Sequence, residues 1–367
     1  MNNRIERLVH GDQRGRLQRE MPGTDETFRS KYKYLLGQAT EIQDNMTDYT
    51  RKFRDLRVEL YKGMPSLVDR QSLTMFELSG TGFSQFASRV SGGGIAYFKK
   101  CLEKDMPELV VDNLNRWLEK SASNELFLRT YKGELIAALT TSYTKVDHRE
   151  VLEGMFTGLH TTPLAGIEEQ FDIERFTIDE HDMEIRLVDK MHSVVDETAG
   201  RELSRPGFVL GNGQTGRKAV TIDYMVYTLV CSNGLFIGKN KGRLFYRKHT
   251  GWEDWKFKSQ IRDTVSQVRD FTDYAQQTID AARRFKEDEI KHRFGGDKWE
   301  EVLGDYLQDK TGLDEDEVDL IFKEWQEKYE LNLWGLTSAV TEYAQKFNHE
   351  RQREIEQEIG RVVTLVV

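Results

Sequence analysis

Cysteine is scarce in this sequence, and its scarcity argues against two classes of small, cross-linked protein. The 367 residues include only two cysteines, Cys101 and Cys231, which lie 130 positions apart. Neither belongs to a CxxC pair or to a cluster with histidine, which excludes a disulfide framework and a zinc-ribbon site. This usage is typical of proteins in a reducing cytoplasm, where we expect the chain to act.

Long apolar runs and prolines are scarce as well. No run approaches the roughly 18 apolar residues that a membrane span needs, and the first dozen residues lack the apolar core of a signal peptide. Only five prolines interrupt the chain, while charged residues account for 31% of it. These features favour a soluble, mostly helical protein that has no membrane partner.

The spacing of apolar residues predicts a helix near the N-terminus and β-strands in the middle of the chain. Helical spacing near the N-terminus predicts one helix that Gly63 and Pro65 end. The residues that carry this spacing are Leu35, Ile42, Met46, Tyr49, Phe53, Leu56 and Leu60. Short glycine-punctuated helices are expected next, the first of them over residues 66–69. From Leu126 the period is two, which predicts a β-hairpin over residues 126–143 and an antiparallel sheet that extends to about residue 250.

A long helical stripe follows the predicted sheet. Its apolar or small residues step by three and four, and they are Ile261, Val265, Val268, Thr272, Ala275, Ile279 and Ala282. The stripe favours a long helix, over residues 256–292, that lies on the sheet. Self-association of two copies through the stripe is the alternative. A final helix is expected over about residues 333–362.

Together these patterns predict an α+β fold of five parts. They are an N-terminal arm and helix (1–65), a small helical subdomain (66–121), an antiparallel sheet with a long packed helix (122–292), an acidic helical insert (293–331) and a C-terminal helix (332–367).

The net charge of −9 is concentrated in one segment of the chain. Residues 297–331 hold 13 acidic residues and four lysines, so that this block alone carries −9 and the rest of the chain is neutral. Apolar residues such as Trp299, Leu303 and Trp325 still recur there at helical spacing. We therefore expect acidic helices rather than a disordered tail.

Residues 201–262 carry the opposite charge, a net of +8, with aromatic side chains interleaved. Basic groups that contact phosphates and rings that stack on bases compose a groove for single-stranded nucleic acid. Strand alternation places Tyr246 and Lys248 on one face of their strand and Arg243 and Arg247 on the other. The candidate phosphate ligands are Arg217, Lys218, Lys239, Lys241, Arg243, Arg247 and Lys248, with Tyr246 or Trp252 stacking on bases. A solvated sheet edge guarded by lysines is the alternative.

No motif in the sequence assigns a catalytic residue, a metal ligand or a cofactor. Gly211–Gly216 matches the letters GxGxxG, but a strand pattern follows where a dinucleotide fold needs a helix. A hairpin loop is expected instead. The functional alternative is that this loop brings Arg217 and Lys218 to a phosphate backbone. His148 and Glu150 form only half of a zinc deaminase signature. No GxSxG, HExxH or kinase-type set is present, so an enzymatic function is left uncertain.

Several strings together resemble one known family. They are residues 111–118 (VDNLNRWL), 128–134 (LRTYKGE) with 137–143, 230–234 (VCSNG), 247–251 (RKHTG) and 334–343 (WGLTSAVTEY). The chain resembles the phage/plasmid-like proteins of a domain-of-unknown-function family that is common in phage, plasmid and conjugative-element genomes. Ser338 departs from the asparagine usual at its position, and the block 297–331 is longer than is typical. The resemblance implies an origin in a phage or mobile element and transfers no activity to single residues.

The hairpin and the helix after it suggest a process as well as an origin. A hairpin over residues 220–248 that is followed by a long helix looks like the sheet-and-helix core of phage single-strand annealing proteins of the Red-beta and Rad type. The leading hypothesis is therefore a cytoplasmic protein that binds single-stranded DNA or another nucleic acid, self-associates, and assists recombination or annealing.

Two other functions are compatible with the sequence. The first is a protein-interaction module whose acidic helical region engages a host protein. The second is an enzyme whose site includes Cys231, Asn233 and His249, which the predicted hairpin would bring near one another.

Overall fold

Two β-sheets and the helices packed on them form an α+β fold in the computed structural model of this chain. This confirms the fold class that the sequence predicts. The structure describes residues 3–10, 27–161, 170–191, 193–196, 201–228, 233–236, 243–250, 259–260, 263–264 and 268–366. Within these ranges, no helix combines the length and the apolar character that crossing a membrane requires.

The first sheet has six strands in the order β1-β5-β6-β4-β3-β2, antiparallel throughout except where β4 pairs with β6. Its strands are β1 (Met46–Lys52), β2 (Leu56–Tyr61), β3 (Met64–Asp69), β4 (Thr74–Leu78), β5 (Glu125–Tyr131) and β6 (Glu134–Leu139). The helices that share its core are α1 (Asn3–His10), α3 (Gly80–Ser91), α4 (Ile95–Glu103) and α5 (Pro107–Lys120). The connection between the parallel strands β4 and β6 is long, because it includes α3, α4, α5 and β5.

The helix predicted from Leu35 to Leu60 is wrong beyond Asp44. Helix α2 (Phe28–Asp44) ends there, and the chain continues through β1 and β2. In β2 the buried Leu56 and Val58 flank the exposed Arg57, so the local period is two. The seven residues of β1 pair with β5, a distant partner whose hydrogen bonds override the local helical spacing.

Residues 66–69, predicted as a short helix, are also part of a strand. They belong to β3, which pairs with β2 and β4. The predicted hairpin at 126–143 is present as β5 and β6, but it joins the first sheet rather than the strands that follow residue 170.

The second sheet has seven antiparallel strands, with the path β12-β11-β10-β8-β7 and with β13 on β11 and β9 on β10. They are β7 (Phe171–Ile178), β8 (Asp182–Asp189), β9 (Val194–Asp196), β10 (Arg201–Gly213), β11 (Val220–Thr228), β12 (Asn233–Leu235) and β13 (Arg243–Arg247). On β8, alternation sends Ile185 and Leu187 to a core shared with α2 and α6 (His148–Thr161) and sends Glu184 and Arg186 to the opposite face.

The C-terminal helices cover that opposite face. They are α7 (Val268–Arg284), α8 (Glu287–Arg293), α9 (Trp299–Thr311), α10 (Glu315–Lys328), α11 (Leu333–Ala344) and α12 (His349–Val366). The helices predicted in the acidic block are therefore present as α9 and α10, and their apolar residues are buried in one core with α11 and α12. Three stripe residues have described side chains, Ala275, Ile279 and Ala282, and all three are buried in the same core.

Two predicted long helices are each interrupted. The helix expected to extend to His292 breaks after α7, because the backbone around Lys286 pairs with that around Asn332. Leu333 N donates to Phe285 O at 2.9 Å, and Glu287 N donates to Leu331 O at 3.1 Å. The final helix is likewise two helices, because residues 345–348 separate α11 from α12.

A buried network of charges attaches α12 to the second sheet. Arg353 contacts the carboxylates of Glu184 on β8 and Asp223 on β11. Arg186 Nη2 lies 3.1 Å from Glu356 Oε2 on the same helix. Since all five side chains are at least largely buried, each charge depends on its partner rather than on water.

The approach of α12 to β12 leads to a prediction about one glycine. A Cβ on Gly360 would lie 1.8 Å from the carbonyl oxygen of Phe236, whereas a Cβ on Gly37 of α2 meets nothing within 4 Å. We expect Gly360→Ala to lower the free energy of unfolding by about 1–3 kcal/mol, because backbone must move. Gly37→Ala, its control, should raise it by about 1 kcal/mol through helix propensity. Urea denaturation measures both, and equal stability of Gly360→Ala and the wild type would contradict the packing described.

Candidate binding cleft

The glycine-rich segment at 211–216 is the end of a β-hairpin, as the sequence predicts. Gly211 of β10 pairs with Thr221 of β11, and residues 214–219 form the turn between the strands. Gly216 has a φ of +72°, in the left-handed region that favours glycine. A Cβ there would lie 2.7 Å from Leu139 Cδ2 at the end of β6. The hairpin of the second sheet therefore rests directly against the first sheet.

Gln214 holds this hairpin in place from inside the protein, where it is 1% exposed. Its carbonyl oxygen accepts hydrogen bonds from Arg129 Nη1 and from the hydroxyl of Tyr143, both at 3.0 Å. Its backbone N donates to His181 O at 3.0 Å, and its side-chain oxygen accepts from His148 N at 3.2 Å. Both sheets thus contribute to the placement of one turn residue.

Helix α3 also holds this turn in place. Gln85 Nε2 donates to Thr215 O at 2.9 Å, while its Oε1 accepts from Ala138 N at 3.0 Å. One turn further along the helix, Arg89 Nε donates to Ala138 O at 2.6 Å. Gln85 and Arg89 both bond to Ala138 of β6, and Gln85 also bonds to the hairpin. These hydrogen bonds therefore fix the position of Arg89 relative to the hairpin.

Arg129 is the buried charge on which this junction depends. Its side chain has no exposed surface, and it lies 2.8 Å from Asp48 Oδ1 and 2.7 Å from Asp147 Oδ1. Burial acts to lower the pKa of Arg129, but the hydrogen bonds that it donates to Asp48 and the charges of both carboxylates raise the pKa overall. Lys145 Nζ contacts the same two carboxylates at 3.0 and 3.3 Å. The group remains charged and holds β1, β5 and the start of α6 together.

An aromatic stack lies beside this network. The ring of Tyr143 is stacked between Phe127 and His249, with centroid separations of 5.9 and 5.2 Å. Thr144 N donates to His249 O at 2.8 Å, and Tyr143 and Thr250 form a β-bridge. Burial lowers the pKa of His249 to about 4, so its imidazole is neutral at pH 7. The end of β13 is thereby attached to the segment that follows β6.

A cleft of about 320 Å³ opens between these parts. Its lining consists of Arg89, Leu139, Thr140, Tyr143, Gly216, Arg217, Lys218, Ala219, Tyr246, Lys248, His249 and Thr250. Four of these side chains are basic, and no acidic side chain belongs to the described lining. Leu139 and His249 are buried at its inner end, whereas Arg89, Arg217, Tyr246 and Lys248 are exposed at its rim. The cleft thus combines an apolar, aromatic floor with a positively charged mouth.

The cations at the mouth differ in their surroundings. Lys218 Nζ lies 3.8 Å from the buried Asp182 Oδ2. Arg89 and Arg217 form no ion pair with a carboxylate of the described residues. Burial lowers the pKa of Arg89, but an arginine remains charged at neutral pH. At least two guanidinium groups can therefore receive an anion.

Four of the nine residues predicted from sequence meet in this cleft: Arg217, Lys218, Tyr246 and Lys248. Arg247 is half-buried on β13 and is not part of the lining, as alternation along the strand requires. Arg243 is placed only by its backbone, which pairs with Asp223. Lys239, Lys241 and Trp252 lie outside the described residues.

Two important lining residues, Tyr143 and Arg89, were missed as site residues, and His249 was named only for the enzyme hypothesis. Tyr143 and His249 lie in strings that carry the family resemblance, 137–143 and 247–251, so a signal for them was present. Arg89 belongs to α3 and no local pattern singles it out, because only the folded chain brings it to the hairpin. Cys231, needed for the enzyme hypothesis, lies outside the described residues, and that hypothesis stays a prediction. Within the described chain, no cluster of three or more His, Cys, Asp or Glu residues could hold a metal ion.

Comparison with known proteins adds one match. The family model described as "Domain of unknown function (DUF932)" matches residues 137–366. This range contains every lining residue of the cleft except Arg89. No curated protein and no solved structure matches the sequence.

The first prediction from this site concerns Arg129. Arg129→Met removes the charge that balances Asp48 and Asp147, and we expect the free energy of unfolding to fall by about 3–5 kcal/mol, as when one partner of a buried ion pair is lost. Arg57→Met is the control, because the Arg57 side chain is 54% exposed and its ion pair among the described residues is with the partly exposed Glu59. Denaturation midpoints measure the difference, and equal midpoints for the two variants would rule out the proposed dependence.

The second prediction concerns pH. In the folded state the pKa of His249 is about 4, below the ordinary value of 6.5, so the unfolded chain binds the extra proton between these values. Stability is therefore full above pH 6.5 and falls as the pH drops towards 4, by roughly 3 kcal/mol for this histidine. His148, whose pKa burial also lowers to about 4, adds a loss in the same window.

His249→Phe keeps a ring against Tyr143 and removes the titration. We expect its stability to fall less steeply than that of the wild type between pH 6.5 and 4, measured by urea denaturation across this range. His292→Gln alters an exposed histidine and should retain the wild-type slope. A wild-type slope in His249→Phe would contradict the burial of the imidazole.

Proposed function

We propose that this chain, which belongs to the DUF932 family, binds single-stranded nucleic acid in the cleft between its two sheets. One observation carries the proposal. Arg217, Lys218, Tyr246 and Lys248 are basic or aromatic residues from two separate segments, and they line one cleft together with Arg89.

The charge of the cleft suits a phosphate ligand. Arg89 and Arg217 reach it from different parts of the fold, and guanidinium groups bind phosphate oxygens through paired, charge-assisted hydrogen bonds. Lys248 adds a point charge at the exposed rim. Such contacts gain free energy by releasing counterions from the nucleic acid, whatever its sequence.

The aromatic residues favour a single strand. Tyr246 is 48% exposed at the mouth, and the floor contains the ring of His249 stacked on Tyr143. A base can stack on a side chain only if its face is not covered by a neighbouring base pair. A cleft of about 320 Å³ is at the lower end of the range for small-molecule pockets, so it holds a nucleotide rather than a double helix.

The process that we propose is strand annealing or DNA recombination in the cytoplasm of the host of a phage or mobile element. The support for this setting is the likeness of the sequence strings to phage/plasmid-like proteins. Self-association is part of the same proposal, but Ala275, Ile279 and Ala282 are buried within the chain and do not supply its surface.

Salt dependence tests the proposed function. Three phosphate contacts, from Arg89, Arg217 and Lys248, predict a slope of about −2 for log K against log salt, because a single strand contributes about −0.7 for each contact. Affinity for a fluorescent single-stranded oligonucleotide should therefore fall roughly 15-fold between 50 and 200 mM salt. Fluorescence anisotropy measures it.

Two variants make the test specific to the cleft. Arg217→Gln should weaken binding and reduce the slope by about 0.7, because one contact is lost. Lys298→Gln removes an equal charge at a 75% exposed position before α9, outside the cleft, and should leave the slope unchanged. Absence of binding at about 50 mM salt, or equal effects of the two substitutions, refutes the proposal.

A further inference from the structure

We infer that the cleft binds the end of a strand, and that it prefers an end that carries a terminal phosphate. This inference rests on the proposed function and specifies its ligand. Three features of the cleft support it. Its floor is closed, it has room for about one nucleotide, and it carries more positive charge than a single phosphodiester would neutralise.

The floor of the cleft is closed by backbone pairing. His249 and Leu139 are 5% and 3% exposed, and the bridge between Tyr143 and Thr250 joins the two segments that form the inner end. The hydrogen bond from Thr144 N to His249 O lies in the same junction. Among the described residues, these two joined segments block the inner end, so a strand that enters by the mouth also leaves by it.

The capacity of the cleft decides between a terminal and an internal nucleotide. A volume of about 320 Å³ is at the lower end of the range for small-molecule pockets, a size that suits about one nucleotide. An internal nucleotide that occupied it would require both flanking segments to turn sharply at the same mouth. A terminal nucleotide has one flanking segment and avoids that turn.

The charge at the mouth suits a phosphate monoester. Arg89 and Arg217 form no ion pair with described carboxylates, and the exposed Lys248 lies at the same mouth. An internal phosphodiester offers one negative charge, whereas a terminal phosphate carries about −1.5 to −2 at pH 7 and three acceptor oxygens. Two guanidinium groups from different elements, one on α3 and one on the hairpin, can bind two of these oxygens each.

The direct experiment compares single-stranded oligonucleotides of one sequence and length in four forms. These are a linear strand with hydroxyl ends, the same strand with a 5′-phosphate, the same strand with a 3′-phosphate, and a covalently closed circle. We expect one of the phosphorylated forms to bind about 10- to 100-fold more tightly than the hydroxyl form, as charge-assisted hydrogen bonds allow. The circle should bind most weakly because it has no end.

The outcomes separate this inference from the proposed function. Equal affinities for the circle and all linear forms would overturn the preference for an end and leave single-strand binding intact. Absence of binding by every form would overturn both. Preference for a 5′- or a 3′-phosphate supports the inference and identifies the end.

Substitution of Arg89 tests which residue recognises the phosphate. Arg89→Gln should weaken the binding of every form, because one phosphate contact is lost. It should weaken the phosphorylated form most, and so remove most of the difference between phosphorylated and hydroxyl ends. Arg54→Gln, at a 64% exposed position in the short 3-10 helix between β1 and β2, is the matched control and should keep the difference. If Arg89→Gln perturbs folding, Arg217→Gln on the hairpin provides the same comparison. A preference that persists in both variants would overturn the assignment of the phosphate to these guanidinium groups.

Discussion

A fully buried guanidinium holds the two halves of this protein together. Arg129 on β5 contacts Asp48 on β1, Asp147 before α6 and the carbonyl oxygen of Gln214 in the hairpin of the second sheet. A charge without access to water must keep all of its partners, because the loss of any one leaves a buried charge uncompensated. The network therefore fixes one relative placement of the sheets, and this placement brings Arg89 and Arg217 to the same cleft.

The distribution of charge explains how an acidic chain can offer a site for an anion. The acidic residues of α9 and α10 lie on helices whose apolar faces fill a core with α11 and α12. Their negative charge is thus carried on one folded part of the chain. At physiological salt, the effect of a charge falls off over about 8–10 Å, and the charges nearest to a ligand in the cleft are the four basic side chains of its described lining. The net charge of −9 influences the approach of a polyanion more than its binding.

The parts of the structure that sequence could predict are those set by neighbouring residues. The hairpin of β5 and β6, the loop at 211–216 and the acidic helices all follow from local period and turn chemistry. Strand β1 could not be predicted in this way, because its pairs, such as Met46 with Tyr131, join distant segments. Strands β2 to β4 pair with their neighbours along the chain, so a local signal for them was present and was interpreted as helical. The same division holds in the cleft. Alternation along β13 predicts that Tyr246 and Lys248 share a face, whereas the approach of Arg89 depends on the whole fold.

The extent of the DUF932 match bears on how the cleft is built. Residues 137–366 include the hairpin, β13 and the aromatic floor, but Arg89, Asp48 and Arg129 precede this range. Without Arg129, Asp147 would be buried with only Lys145 to balance it, and the carbonyl oxygen of Gln214 would lose one of its two donors. Without α3, the lining of the cleft would lose the guanidinium of Arg89. The matched region therefore holds most of the binding surface, while the preceding sheet and helix supply the charges that position and complete it.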